Sequence, residues 1–431
     1  MAAAQHPRTV RIGVLGCGNV GAPFVQLVER QAGVIEARTG IRLEVVKVAV
    51  RNVAKDRDVA LADGVLVRDA RAVVEDPAVD LVVELIGGIE PARELIMAAI
   101  DRGKPVVTGN KELLANVGHE LWAHSDAAGV DLLFEAAVAG GIPLVRALRE
   151  SLRGEPVRRV MGIVNGTTNY ILTKMTEEGA DYTAALSEAQ RLGYAERDPT
   201  ADVEGFDAGA KAAIIASIAF GSRVVAGDVY HEGISGITAA DIAVARRLGY
   251  VVKLLAIAEQ HDGAVSVRVH PAMVPLTHPL ASVRDSYNAV FVEGDAVGSL
   301  MFYGRGAGGF PTASAVLGDV IDAAVNIAKG THGTIGSFAR TPVSPIDETS
   351  SQYLVGLEVE DKPGVLHAIT GVFAQHGVSI RAAEQEGTDR DARLVFITHS
   401  AREADVQACL RAFRNLDVVK RSSGLLRVIG E

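Results

Sequence analysis

A chain of 431 residues is too long for one ordinary domain and predicts two or three. Its formal net charge of −10 excludes a general nucleic-acid binder, which needs a concentrated positive surface; a local basic pocket for a phosphorylated cofactor is still compatible with it. With 48% apolar residues, 45 glycines and few aromatics, the composition suits an α/β protein with many tight strand-to-helix turns. Only Cys17 and Cys409 are present, which excludes a disulfide framework or a zinc cluster. Residues 1–11 carry no apolar leader core, and the longest apolar runs, such as 212–220, are too short to cross a bilayer. A cytoplasmic protein without membrane association is the expectation.

In chain order, residues 10–15 form a short apolar run and 19–30 have helical spacing. Strand-like runs follow at 43–50, 80–86, 104–108 and 130–134, with helices at 91–102 and 111–128. Continuous apolar strands between amphipathic helices predict a parallel sheet covered on both faces, hence a doubly wound nucleotide-binding domain over residues 1–135. From 136 to 335 the pattern turns α+β. Helices are expected at 144–152, 170–178, 183–192, 208–220 and 239–248, and strands at 157–164, 251–259 and 264–269. Residues 336–351, rich in Pro, Ser and Thr, read as a linker. The remainder, 352–431, alternates as βαββαβ, an independent ferredoxin-like domain.

Residues 10–21 read VRIGVLGCGNVG, so Gly16, Gly18 and Gly21 form G-x-G-x-x-G directly after a strand and opening a helix. That context marks a dinucleotide site: a tight turn, backbone open to a pyrophosphate, close strand–helix packing and a helix N-terminus aimed at phosphate. Asn19 and Val20 complete the loop. The second strand ends in Arg51, with Lys55 behind it, where NAD enzymes usually carry an acidic residue. A cationic side chain there favours the 2′-phosphate of NADP over NAD.

The densest constellation is 189–211, AQRLGYAERDPTADVEGFDAGAK. Asp207 and Lys211 are four apart and share a helix face. An exposed ion pair is the ordinary fate of such a spacing, but the apolar helix after Lys211 and the acidic residues before it point elsewhere. Carboxylates beside a lysine suit recognition of an ammonium group and proton transfer at a neighbouring oxygen.

The spacing A-x-x-x-G-Y-x-x-x-D-P-x-x-D-V-x-G-x-D-x-x-x-K, from Ala189 to Lys211, resembles the signature of homoserine dehydrogenases. Residues 108–115 (TGNKELLA), 135–143 (EAAVAGGIP) and 165–172 (NGTTNYIL) are similar to family segments too, and the resemblance runs over about 9–335. It implies NAD(P)-dependent interconversion of L-aspartate 4-semialdehyde and L-homoserine, a step toward threonine, methionine and isoleucine. Glu196 and Asp207 would hold the substrate's amino group and hydroxyl, with Asp202 supporting the loop. Lys211, favoured over Lys111, would be the acid/base, and Lys111 would lie near the nicotinamide. A lysine working near neutral pH needs its pKa lowered, or acts through its charge alone. Thr108, through its backbone, and Gly306, in the Gly-rich stretch before a helix at 312–329 that packs back on the nucleotide domain, would touch the cofactor. The resemblance also implies a structural Na⁺, or a similar monovalent ion, held by Glu135 and the carbonyls of Val138, Gly140 and Ile142. Hard oxygen ligands suit such a cation.

The segment EDKPGVL at 360–366, with the βαββαβ order, resembles an ACT domain, which implies an amino-acid effector, here threonine. Resemblance also implies a homo-oligomer, dimer or tetramer. Two other readings stay open: a dehydrogenase for another amino-acid-derived aldehyde, and a non-catalytic NAD(P)-sensing regulator. The second leaves Lys111 and Lys211 unexplained.

Overall fold

The computed structural model describes residues 7–388 and 391–430; of the stretch 1–11 read for a leader core, the first six residues lie outside the described residues. The chain divides into two compact units. The first comprises Met1–Val160, Ala210–Asp228 and Asn288–Thr341, and the second Met161–Gly209, Val229–Tyr287 and Pro342–Glu431. The last crossing between them, at Thr341/Pro342, falls inside the Pro/Ser/Thr-rich segment.

The first unit is built on six parallel strands: β1 (Arg8–Leu15), β2 (Ile41–Ala49), β3 (Leu66–Val67), β4 (Leu81–Glu84), β5 (Val106–Thr108) and β6 (Leu132–Leu133). Their order is β3-β2-β1-β4-β5-β6. This is the doubly wound arrangement expected from the apolar runs, and the order reverses between β1 and β4, where such folds bind ligands. Ile12, Val14, Leu81, Val83 and Val107 form one face of the core with Phe24 and Val25 of the helix Gly21–Arg30. The helix Gly309–Lys329 closes that face with Ala313, Val316, Val320 and Ala323. It begins three residues before the expected start because Pro311 sits inside its first turn, where a missing N–H costs nothing. The helix Ala32–Thr39 was not legible, since it buries only Ile35 and leaves no periodic signal. Neither were the neighbouring strands Tyr287–Gly294 and Gly298–Arg305.

Asp319 anchors the same helix. Its carboxylate accepts from the Glu135 N–H at 2.7 Å and from Arg146 at 3.0 Å. Arg146 is shared with Asp322 at 2.9 Å, so burial dominates and pushes Asp319 up to about 7.

In the second unit Tyr250–His261 and Ala264–Pro275 form an antiparallel hairpin. Its two-residue loop is Asp262-Gly263, with φ of 49° and 78°, the left-handed pair that a tight hairpin requires. The sheet continues through Val419–Val428, Ser350–Glu360, Asp391–Thr398 and Ile380–Thr388. These last four strands, with the helices Val365–Gln375 and Glu403–Phe413, form the ferredoxin-like module around Tyr353, Phe373, Phe396 and Phe413. The sequence reading makes this module independent. Instead its last strand joins the hairpin, pairing Ala272 with Arg427 and Met273 with Val428, because the C-terminal strand runs past the module's own sheet.

At that seam Arg427, 1% exposed, donates to both oxygens of buried Glu403 at 2.8 and 2.7 Å and to Glu232 at 2.6 Å. Tyr353 Oη adds a bond to Glu403 at 3.0 Å. Removing one partner of such a cluster strands a buried charge. Arg427→Ala is therefore expected to lower unfolding stability by about 3–5 kcal/mol in denaturant titrations, and a loss below about 1 kcal/mol would refute this view of the seam.

The raised pKa of Asp319 gives a second expectation. Its folded form keeps the proton to about pH 7, whereas the unfolded carboxyl releases it near 3.8, so the folded state binds the extra proton and stability falls as pH rises across that window. Asp319→Asn removes the slope: the stability of the variant minus that of the native chain should grow from pH 4 to 7. Parallel curves would contradict the assignment.

Candidate active site

The nucleotide edge is shaped by its glycines. Gly16 has φ +100°, and a Cβ there would lie 2.7 Å from the Leu85 carbonyl at the end of β4. A Cβ on Gly21 would lie 2.3 Å from the Gly16 carbonyl, whereas Gly18 faces open space. Asn19 is exposed and Val20 half-buried. The helix Gly21–Arg30 has no side-chain cap at Val20 and no acidic residue in its first turn, so its N-terminal N–H groups suit an anion. Backbone at Gly309 packs on the Asn19 carbonyl from the other side.

At the ends of β4 and β5, fully buried Glu84 accepts from the N–H groups of Ile86 and Gly87 and from Thr108 Oγ1 at 2.6 Å. Thr108 Oγ1 in turn accepts from the Asn110 N–H at 3.0 Å. Asn110 caps the helix Lys111–Ala128 through Leu113 N–H and ties Gly88 through its amide. Lys111 is therefore the first residue of a helix whose start is fixed to two strand ends. The side chain of Thr108 is spent on this network, and the residue is fully buried.

Arg51 and Lys55 are exposed just beyond β2. Arg57 folds back instead, donating to the carbonyls of Lys55 and Asn52 at 2.6 Å each. Its positive charge opposes the burial that pushes the Cys17 thiol up. Sequence reasoning missed Arg57, because nothing in the run of charges tells which cation turns inward.

Of the loop after β6, Ala139 and Gly140 both have φ of 56°, and a Cβ on Gly140 would lie 2.4 Å from the Gly306 carbonyl. The Glu135 carboxylate accepts from Val145 N–H and Arg146 N–H at 2.8 Å each. Burial raises its pKa against those bonds. With both carboxylate oxygens serving backbone, the donors best suited to a hard cation here are main-chain carbonyls, including those of Val138, Gly140 and Ile142. Among the described residues no group of three or more His, Cys, Asp or Glu could hold a metal ion. Gly306 is buried against Asn288, whose side-chain amide would lie within 1.9 Å of a Cβ placed there.

In the second unit the helix Tyr182–Arg191 gives way to the polar loop, where Gln190 holds the Glu196 carbonyl at 3.0 Å. Glu196 itself is exposed. Asp198, just before the short helix Thr200–Val203, accepts from Thr200 N–H and Oγ1. Asp202 and Asp207 converge on one amide: Asn165 Nδ2 donates to Asp202 Oδ1 at 2.7 Å and to Asp207 Oδ2 at 2.9 Å. Glu196 is not among the carboxylates on this amide. The helix Phe206–Phe220 begins in the second unit, with Asp207 in its first turn, and its residues from Ala210 on, among them buried Lys211, are counted with the first. Thr167 Oγ1 secures the Tyr194 carbonyl at 2.6 Å. Asn165 and Thr167 lie in the NGTTNYIL segment; their roles in holding the acidic loop could not be inferred from spacing alone.

Comparison with known proteins gives the same picture. The family description "Homoserine dehydrogenase, NAD binding domain" matches residues 16–135, "Homoserine dehydrogenase" residues 143–321 and "ACT domain" residues 353–418. A homoserine dehydrogenase of Corynebacterium glutamicum is 50% identical over 425 residues, spanning 97% of this chain and 95% of its own. That of Bacillus subtilis is 41% identical over 429 residues, covering 98% and 99%. The crystal structure of a homoserine dehydrogenase from Thiobacillus denitrificans superposes with a TM-score of 0.93 at 42% identity, covering 98% of each chain. A hyperthermophilic archaeal homoserine dehydrogenase solved in complex with NADPH reaches a TM-score of 0.63 at 27% identity over 74% of this chain and 98% of its own. Similarity that takes in the nucleotide, catalytic and ACT segments, at such identity and coverage, places this chain in the homoserine dehydrogenase family.

Proposed function

We propose that this chain catalyses the reversible NAD(P)-dependent reduction of L-aspartate 4-semialdehyde to L-homoserine, an oxidoreductase reaction at a CH–OH group. The observation that carries the reading is the acidic pair Asp202 and Asp207, gathered on Asn165, with Lys211 one turn beyond Asp207 on its helix.

The bound nicotinamide supplies or takes the hydride; the chain does the rest. The open backbone at Gly18 and the N-terminus of the helix Gly21–Arg30 receive the pyrophosphate, with Gly16, Asn19, Val20 and Gly21 shaping the cradle. Arg51 and Lys55 pair with a 2′-phosphate, which favours NADP, and a relative of known structure is complexed with NADPH. Backbone at Thr108 and Gly306 completes the cofactor contacts.

Glu196 and Asp207 take the amino acid's ammonium group and hydroxyl, and Asp202 steadies the loop. As hydride reaches the aldehyde carbon, its oxygen gains negative charge, and Lys211 donates a proton to it; in the reverse direction Lys211 accepts the hydroxyl proton. Lys111, fixed at its helix start, orients the substrate and lends positive charge to the developing oxyanion. A monovalent cation such as Na⁺ on the carbonyls of Glu135, Val138, Gly140 and Ile142 stiffens the 135–142 loop without entering the chemistry. Threonine, bound at the ACT module, acts as feedback inhibitor.

Lys211→Ala should lower kcat by about a hundredfold or more while leaving NADP⁺ affinity, read by fluorescence titration, unchanged. Near-native turnover removes Lys211 from the proton step. Arg51→Glu should raise the KM for NADP⁺ roughly tenfold or more and leave that for NAD⁺ within about twofold. Equal effects on the two cofactors would exclude a 2′-phosphate contact.

A further inference from the structure

Asn165 does more than begin a helix. Its side-chain Oδ1 accepts from Thr168 N–H at 2.9 Å and from Thr168 Oγ1 at 3.0 Å, which caps the helix Gly166–Glu178. That bond to a backbone donor also fixes which end of the amide carries the protons. Both protons of Nδ2 then go to carboxylates, one on Asp202 and one on Asp207. The side chain is only 5% exposed, so these bonds are sheltered from water.

A neutral double donor has a specific electrostatic consequence. Two carboxylates brought to one point repel each other, and the usual result is that one of them takes up a proton. A lysine or arginine at position 165 would relieve the repulsion but cancel the negative charge. An aspartate would still cap the helix while adding a third negative group. Asparagine stabilises both ionised carboxylates by hydrogen bonding and leaves their charge for a cationic ligand.

We propose that Asn165 is a positioning residue for the reaction: it sets the spacing of Asp202 and Asp207 and keeps both ionised, so that Asp207 meets the substrate while Asp202 holds the loop beside it. This rests on the reading of Asp207 as a substrate ligand. Other charged groups lie on the elements that carry or adjoin the pair. Lys211 lies on the helix of Asp207, and Glu204 lies between the two aspartates in the chain. His231 packs against Gly209 and Phe206, and burial lowers its pKa. On the helix that Asn165 caps, Asn169 accepts from buried Lys253 at 2.9 Å, and burial brings that lysine down to about 8.

The test compares Asn165→Ser and Asn165→Asp with Asp207→Asn in the full-length protein. Serine and aspartate both cap helices well, so folding and NADP⁺ affinity should stay native in both. The KM for L-homoserine should rise roughly tenfold or more in Asn165→Ser, with a smaller change in kcat. The acid limb of kcat/KM against pH should move up by about one unit in Asn165→Ser and further in Asn165→Asp, because each carboxylate loses a donor that favoured its charged form. An unmoved acid limb in both variants overturns the proposal, as does a loss of NADP⁺ affinity in step with the rise in KM, which would mark a purely structural cap. If Asp207→Asn leaves the KM for homoserine native, the reading of the aspartates itself fails. If Asp207→Asn raises it and Asn165→Ser does not, only the role of Asn165 fails.

Discussion

A single buried carboxylate organises the nucleotide edge of this protein. Glu84, with no exposed surface, ends β4 at the point where the strand order reverses. A charge there is tolerable only if its lone pairs are filled, and they are, by the Ile86 and Gly87 N–H groups and the Thr108 hydroxyl. Those bonds fix the turn after β4 and the end of β5 together. Through Thr108 and Asn110 they also fix the first turn of the helix that starts at Lys111. The glycine loop leans on the same turn, because Gly16 approaches the Leu85 carbonyl too closely for any side chain. Replacing Glu84 by an apolar residue would orphan two backbone donors and a hydroxyl at once.

Much of this was legible in the sequence, and the reasons differ from place to place. The glycine loop could be read because each glycine answers a separate demand: a left-handed turn at Gly16, open space at Gly18 and a close approach at Gly21. The parallel sheet was visible because strands covered on both faces leave unbroken apolar runs. The helix Lys111–Ala128 was read with the bounds it has, although its cap, Asn110, was not singled out. Short elements with few buried side chains, such as Ala32–Thr39 and the two-residue β3, left no pattern to read. Asn165, Arg57 and Glu84 were invisible for another reason: their importance lies in partners distant in sequence, and no local spacing encodes which partner a polar side chain will meet. The identity of the acidic constellation came from family resemblance, which spacing alone could not have supplied.

The ACT module shows how a correct element order can still mislead about autonomy. Its four long strands and two helices follow the expected βαββαβ succession, with a two-residue strand, Ala401–Arg402, added before the second helix, and the long strands take the fourth-first-third-second order of a ferredoxin-like sheet. Yet its last strand extends the neighbouring hairpin, and Arg427 on that strand spends its guanidinium on Glu403 inside the module and Glu232 outside it. Backbone from Glu232 onward then runs beside the acidic loop: Ile234 N–H bonds to the Val203 carbonyl at 2.8 Å, and Gly233 packs against Glu204 without room for a Cβ. Module and acidic loop are thus joined by contiguous contacts within one compact unit. Contiguity supplies a physical route for coupling, and coupling itself is a free energy to be measured.

Under the proposed function the constellation around Asp207 and Lys211 serves L-homoserine rather than another amino-acid alcohol. The most direct test is the reduction of NADP⁺ and NAD⁺ by the purified protein with L-homoserine, D-homoserine, L-serine and L-threonine in parallel, with the product trapped as its hydrazone. Cofactor reduction is expected with L-homoserine alone, with L-aspartate 4-semialdehyde as the trapped aldehyde. Tight cofactor binding without reduction by L-homoserine, or equal turnover of the other alcohols, would contradict it.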